Sequence, residues 1–387
     1  MANWKDRLGD WAEGAETQWD NLRAAVAKKL RLNDPVQIIP YRTYGTPRRL
    51  YIKGRVLEDK GIAAAGDQDT VWNNLLNMYK RFESDEVRGA VLQARLPDEA
   101  HEVTTDSEGY FVLDLHPVTA LFTEHLWHPV PLHLVSSPLP FEKDLKVMAE
   151  VMIPPADAEY GIISDIDDTV VKTTATNLLA MSRITFLNNA KTRLPFAGVA
   201  EFYKALQLGR NGKRNNPFFY VSSSPWNLYD LLKDFLDLNE IPAGPLLLRD
   251  FGSNKKPAGD PHMSHKFKEI CQIFETYPHL PFVLVGDSGQ EDPAIYREVV
   301  KTFPGRVLAI YIRDVQLPER KKIAVEVSQS LAEHKTEMVI VENTVEAAGH
   351  AAKIGLLFTE AIPAIEQEAQ EDKGEQPGKE EATAMSE

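Results

Sequence analysis

The chain of 387 residues contains one cysteine, Cys271. That excludes an internal disulfide and any zinc site built from several cysteines. No apolar run is long enough to cross a bilayer. The N-terminus carries Lys5, Asp6 and Arg7 where a secretory leader would have an apolar core, so a cytoplasmic location is the expectation. Basic excess is also missing: 43 Lys and Arg stand against 57 Asp and Glu, a formal net charge of −14. A nucleic-acid partner would call for a basic footprint, and none is implied. There are no internal repeats. What is present is ordinary for a soluble globular chain, 43% hydrophobic and 26% charged. The length allows two or three domains.

Four regions can be read along the chain. Residues 3–31 form an amphipathic pattern in which Trp4, Leu8, Trp11, Ala15, Trp19, Leu22, Val26 and Leu30 recur every three or four positions. That stripe packs on the next domain or a second subunit, or it lies peripherally at a membrane interface. Its polar face carries both signs of charge, which favours packing. Residues 36–153 read as a β-rich, sandwich-like domain, with strands at 36–39, 49–57, 87–92, 109–114, 132–135 and 144–153 and a short helix at 73–81. Thr43–Pro47 reads as a turn. From Tyr160 the pattern changes to α/β. Apolar runs at 160–164, 217–221, 281–285 and 306–312 alternate with helical stretches at 199–206, 226–238 and 265–277. This predicts a Rossmann-like, doubly wound parallel sheet over 158–362 with an insertion at 170–216. A last helix begins after the cap candidate Asn343. Residues 366–387 hold eight acidic and two basic residues and are expected to be a disordered tail.

The chemistry gathers at the ends of the apolar runs. The first ends in Asp165, Asp167, Asp168 and Thr169. Read alone, this is either an acidic turn or a paired-carboxylate site, where one aspartate attacks or binds a metal and the other moves a proton. The second run ends in Ser222, Ser223 and Ser224. A serine there offers a hydroxyl and a backbone N–H at a strand tip, suited to an oxyanion or phosphate. The third ends in Gly286 and Asp287, with Asp292 five residues on. Lys266, near the start of a helix, offers a cation. Alone, each of these could equally be a cap, an acidic loop or a solvated surface charge.

Their order resembles the haloacid dehalogenase superfamily of phosphohydrolases: D-x-D-x-T, then a strand ending in serine, then lysine, then G-D with further acids. The strings SDIDDT, YVSSSPWNLYDLL, LVGDSGQEDPAIY and FPGRVLAIYIR are similar to the catalytic domain of the actin-patch phosphatidate phosphatase family, over about residues 160–357. A weaker similarity at 40–46 and 54–57 extends to the β-rich region of bacterial members. The resemblance implies a Mg²⁺-dependent hydrolase forming an aspartyl-phosphate. Asp165 would be the nucleophile and Asp167 the proton donor and acceptor. Ser222 and Lys266 would hold the phosphoryl oxygens, with Thr169 and Ser223 assisting at the substrate. Asp165, Asp167, Asp287 and Asp292 would hold the ion. The implied substrate is a phospholipid, with phosphatidate foremost. The alternatives are a soluble metabolite, a phosphoprotein, or an adaptor that binds a partner without catalysis. The insertion combines apolar stretches at 177–181 and 184–187 with Lys191, Arg193, Arg210, Lys213 and Arg214; composition alone favours apolar side chains packed inside it and solvated charges, whereas the resemblance favours contact with a lipid phosphate.

Overall fold

The computed structural model describes residues 36–58, 86–121, 125–166, 196–249 and 261–374. The expected helices at 3–31 and 73–81 lie outside these residues.

Eight strands come first: β1 (Val36–Pro40), β2 (Thr43–Thr46), β3 (Arg49–Glu58), β4 (Val91–Arg95), β5 (Ala100–Thr104), β6 (Tyr110–Leu115), β7 (Trp127–Ser136) and β8 (Lys146–Met152). Side chains alternate along a strand, so β3 turns Leu50, Ile52 and Val56 inward and β6 turns Phe111, Leu113 and Leu115 inward. With Leu132 of β7 and Val151 of β8 they share one core. The strands form a single hydrogen-bonded path, β1-β3-β2-β8-β7-β4-β5, with β6 on β3. Thr43–Thr46, expected as part of a turn, is instead the strand β2, which pairs antiparallel with β3 and parallel with β8 and so joins the two halves.

The chain then builds a second, separate sheet from β9 (Gly161–Asp165), β10 (Phe218–Pro225), β11 (Leu246–Arg249), β12 (Phe282–Asp287), β13 (Val307–Arg313) and β14 (Met338–Val341). All neighbours are parallel, in the order β11-β10-β9-β12-β13-β14. The mixed α/β class with a parallel sheet is therefore as expected. Every residue of β9 is buried, as a strand covered on both faces requires. One face packs on α1 (Val199–Leu208), α2 (Tyr229–Leu238), α6 (Thr344–Lys353) and α7 (Ile362–Gly374). The other packs on α3 (Pro261–Thr276), α4 (Asp292–Thr302) and α5 (Pro318–Leu331). Along β10, Phe218 and Tyr220 enter the first core while Phe219 and Val221 enter the second. The chain runs outward through β10 and β11, then returns to the far side of β9 to place β12. Direction therefore reverses between β9 and β12, where the carboxyl ends of the strands leave a crevice.

Two expectations change. Val199–Leu208 belongs to the sheet as the crossover helix between β9 and β10, because Val199, Phe202, Tyr203 and Leu206 are all buried against it. The expected insertion is thus shorter than 170–216, and residues 170–195 lie outside the described ones. The start of the acidic tail is helical up to Gly374. Ile365 and Ala369 are buried. Asp372 and Glu368 accept hydrogen bonds from the Gly198 and Glu201 amides at 2.7 and 2.8 Å, satisfying donors at the start of α1.

Candidate functional site

The site is built at the reversal. Asp165 ends β9 and registers beside Val221, so Ser222 follows at the same edge of the sheet. Val285 registers beside Ser164, which carries Gly286 and Asp287 to the other side of Asp165. Asp292 opens α4, directly after the turn that leaves β12. Lys266 projects from α3 beneath the same crevice.

These residues meet in the core. Asp165, Asp287 and Asp292 are 1%, 0% and 0% exposed, and Lys266 is 3% exposed. One carboxylate oxygen from each aspartate lies within 4.8 Å of the others. The Lys266 ammonium is 2.9 Å from Asp165 Oδ1 and 2.9 Å from Asp292 Oδ1. Three buried carboxylates against one ammonium leave negative charge in excess, which a buried site holds at high cost unless a further cation joins it.

The backbone fixes the carboxylates. Asp287 Oδ1 accepts from the amides of Gly289 and Gln290 at 2.6 and 3.0 Å. Asp292 Oδ2 accepts from the Asp287 amide at 3.2 Å. Gly286 permits that approach, because a Cβ there would stand 2.5 Å from Asp292 Oδ2. Behind β9, Ser164 Oγ donates to the Asp165 carbonyl and meets the Tyr203 hydroxyl, each at 2.7 Å. Below the cluster, the Tyr296 hydroxyl donates to the Val285 carbonyl at 2.7 Å. Burial, then the charges of Asp292 and Asp165, hold this phenol well above its ordinary pKa, so it stays protonated.

Four of the sequence candidates, Asp165, Lys266, Asp287 and Asp292, are therefore in mutual contact. Ser222 is buried at the end of β10, where its Oγ accepts from the Ser224 amide at 2.9 Å. Ser223 is half-buried on the same strand end. Asp167 and Thr169 lie outside the described residues. Two contributors escaped sequence reasoning. Gln290 accepts from Lys266 at 3.3 Å, and its place in the G-D-S-G-Q string was the available signal. His265 precedes Lys266. Burial lowers its pKa to about 4, helped by Arg249, with the Ser222 and Leu247 backbone opposing. Its imidazole is neutral at ordinary pH.

Residues 160–314 match the family described as phosphatidate phosphatase APP1, catalytic domain. That segment runs from β9 through β13 and contains every site element above. The phosphatidate phosphatase APP1 of Saccharomyces cerevisiae is 36% identical over 155 residues, 40% of this chain and 25% of that protein. An uncharacterized protein of Schizosaccharomyces pombe is 29% identical over 215 residues, 55% of this chain and 34% of its own length. The chain thus spans between a quarter and about a third of these relatives. A carbohydrate acetylesterase from Xanthomonas citri aligns over 81% of this chain and 72% of its own, at a TM-score of 0.33 and 10% identity.

Proposed function

We propose that this chain is a Mg²⁺-dependent phosphatidate phosphatase whose catalytic unit is Rossmann-like, of the haloacid dehalogenase type. The carrying observation is the buried cluster of Asp165, Asp287, Asp292 and Lys266 at the reversal of a parallel sheet, inside the segment that matches the phosphatidate phosphatase family. The unit runs from about residue 158 to 362 and follows the β-rich unit of residues 36–153.

An all-oxygen set of buried carboxylates with excess negative charge fits a hard divalent cation. Asp165, Asp287 and Asp292 would hold it, with Asp167 as a fourth contributor. Once bound, it would neutralise charge on the phosphoryl oxygens.

The residues themselves divide the remaining work. Asp165 attacks phosphorus, forming a carboxyl–phosphate bond as the ester P–O bond breaks. Asp167 gives its proton to the departing alkoxide. It then takes one from the water that attacks phosphorus and frees Asp165. Lys266 and Ser222 hold the phosphoryl oxygens through the transfer, where positioning and charge stabilisation dominate. Thr169 and Ser223 complete the cradle. Diacylglycerol and phosphate leave. Contact with lipid at the surface of a membrane would fall to residues 3–31. Among the described residues, no helix is long and apolar enough to cross one.

The test is release of phosphate from phosphatidate in mixed micelles. The wild-type chain should release it with Mg²⁺ and lose the activity on Asp165→Asn substitution or with EDTA. Hydrolysis of soluble monoesters with none of phosphatidate would replace the lipid with a metabolite or phosphoprotein substrate. No hydrolysis at all would leave an adaptor.

A further inference from the structure

The end of β10 carries Ser222 to Pro225. Pairing with β11 is regular at Tyr220 and Val221, then shifts register before Pro225 meets Arg249. The ladder is therefore irregular over the strand end read here as phosphoryl-binding. A first-contact group must be held to about half an ångström to work well.

The brace comes from the β-rich unit. Trp226 follows Pro225 directly. Tyr41, in the link between β1 and β2, stacks on its indole with centroids 5.1 Å apart and planes 9° apart. Tyr41 also meets the Tyr229 ring at 4.0 Å, and the Tyr229 hydroxyl accepts from the Arg42 amide at 2.5 Å. From β3, the Lys53 ammonium lies 3.6 Å from the centroid of the Trp226 ring. At that distance a cation is attracted by the ring face. Burial raises the pKa of the Glu269 carboxyl on α3, and the charges of Lys268 and then Lys53 oppose that rise.

We propose that the β-rich unit is a working part of the phosphoryl site, in which Tyr41 and Lys53 clamp Trp226 and so hold the Ser222–Pro225 strand end in its phosphate-receiving form. Both are positioning residues, acting through Trp226. The inference rests on the reading of Ser222 and Lys266 as the phosphoryl-binding pair. The rings of Tyr41, Trp226 and Tyr229 thus join the β-rich unit to the parallel sheet directly after the Ser222–Pro225 strand end.

The experiment uses the full chain with Mg²⁺ and inorganic phosphate as the probe. Phosphate affinity is measured by calorimetry, beside kcat and KM on phosphatidate and on p-nitrophenyl phosphate. Lys53→Met should weaken phosphate binding about fivefold or more and lower kcat on both substrates, with little change in the unfolding midpoint. Lys53→Arg should restore both, because a guanidinium also stacks over an indole. Tyr41→Leu should behave like Lys53→Met, and if it fails to fold the two Lys53 variants decide. The clamp is overturned if Lys53→Met binds phosphate as the wild type does, or if Lys53→Arg is as weak as Lys53→Met. A wild-type chain that binds phosphate but hydrolyses neither ester would sink the phosphatase reading alone, and the affinity comparison would still judge the clamp. A wild-type chain that binds no phosphate overturns both.

Discussion

Asp292 shows how little room single residues have here. One of its oxygens takes Lys266 and the other takes the Asp287 amide. Gly286→Ala would drive a methyl against that second oxygen. The variant should lose about 1–3 kcal/mol of stability through overpacking, and activity should fall by at least about tenfold as Asp292 and Lys266 shift together. Urea unfolding beside a phosphate-release assay checks both, and an unchanged kcat would refute the argument. His265 gives a pH test. Its ordinary value is 6.5 and burial lowers it to about 4 in the fold. Between those values the unfolded chain binds a proton that the folded chain refuses. Stability from this group is therefore complete above pH 6.5 and lost as pH falls towards 4. With the side chain only 15% exposed, the loss is about 3 kcal/mol at most. His265→Gln should flatten the fall in stability over that window, and parallel curves for variant and wild type would reject the assignment. At this scale the sequence placed Asp165 and Asp287 at strand ends and Asp292 at a helix start, and the fold brings these three and Lys266 together. It could not show Gln290 reaching Lys266, because that contact depends on a turn geometry that no spacing encodes.

At the scale of elements, legibility followed burial. β9, β10, β12 and β13 are long apolar runs and could be read directly. β11 and β14 are four residues each, too short to stand out from neighbouring helices. β5 alternates only partly buried and exposed residues, so it carries little hydrophobic signal. The Asn343 cap was legible because its chemistry is local: Asn343 Oδ1 accepts from the Glu346 amide at 3.0 Å. The helical start of the acidic segment was not, because the reason for it is tertiary. Glu368 and Asp372 cap α1 across 167 and 174 residues of sequence. Charge composition suggested solvation, whereas two of those charges have amide partners. Glu368→Ala and Asp372→Ala should each cost about 1 kcal/mol, the usual worth of a helix cap. Chemical denaturation of the two single variants measures it. Changes within error of zero would mean that water replaces them without penalty.

At the scale of the molecule, the two units share cores. Tyr44, Leu126 and Met152 of the β-rich unit belong to the same buried cluster as Phe219, Tyr277 and Phe282 of the parallel sheet. The Tyr277 hydroxyl donates to the Gly45 carbonyl at 2.9 Å. Arg42 forms a two-point pair with Asp237 at 2.7 and 3.1 Å. Separating the units would expose that apolar surface and leave polar groups unpaired, so they should unfold together. A cation bound by Asp165, Asp287 and Asp292 would then stabilise both units, although none of its ligands lies in the β-rich one. A ligand at a hundredfold excess over its Kd contributes about 2.7 kcal/mol, which is a rise of several degrees in Tm for a chain of this size. Adding Mg²⁺ to the metal-free chain should therefore move one transition upward, with circular dichroism and tryptophan fluorescence coinciding before and after. Asp287→Asn should remove most of the shift, because it withdraws a charged ligand while keeping the oxygen that accepts from Gly289 and Gln290. Two transitions, with only one responding to Mg²⁺, would show that the shared core does not couple the units and that the β-rich unit stands apart from the site.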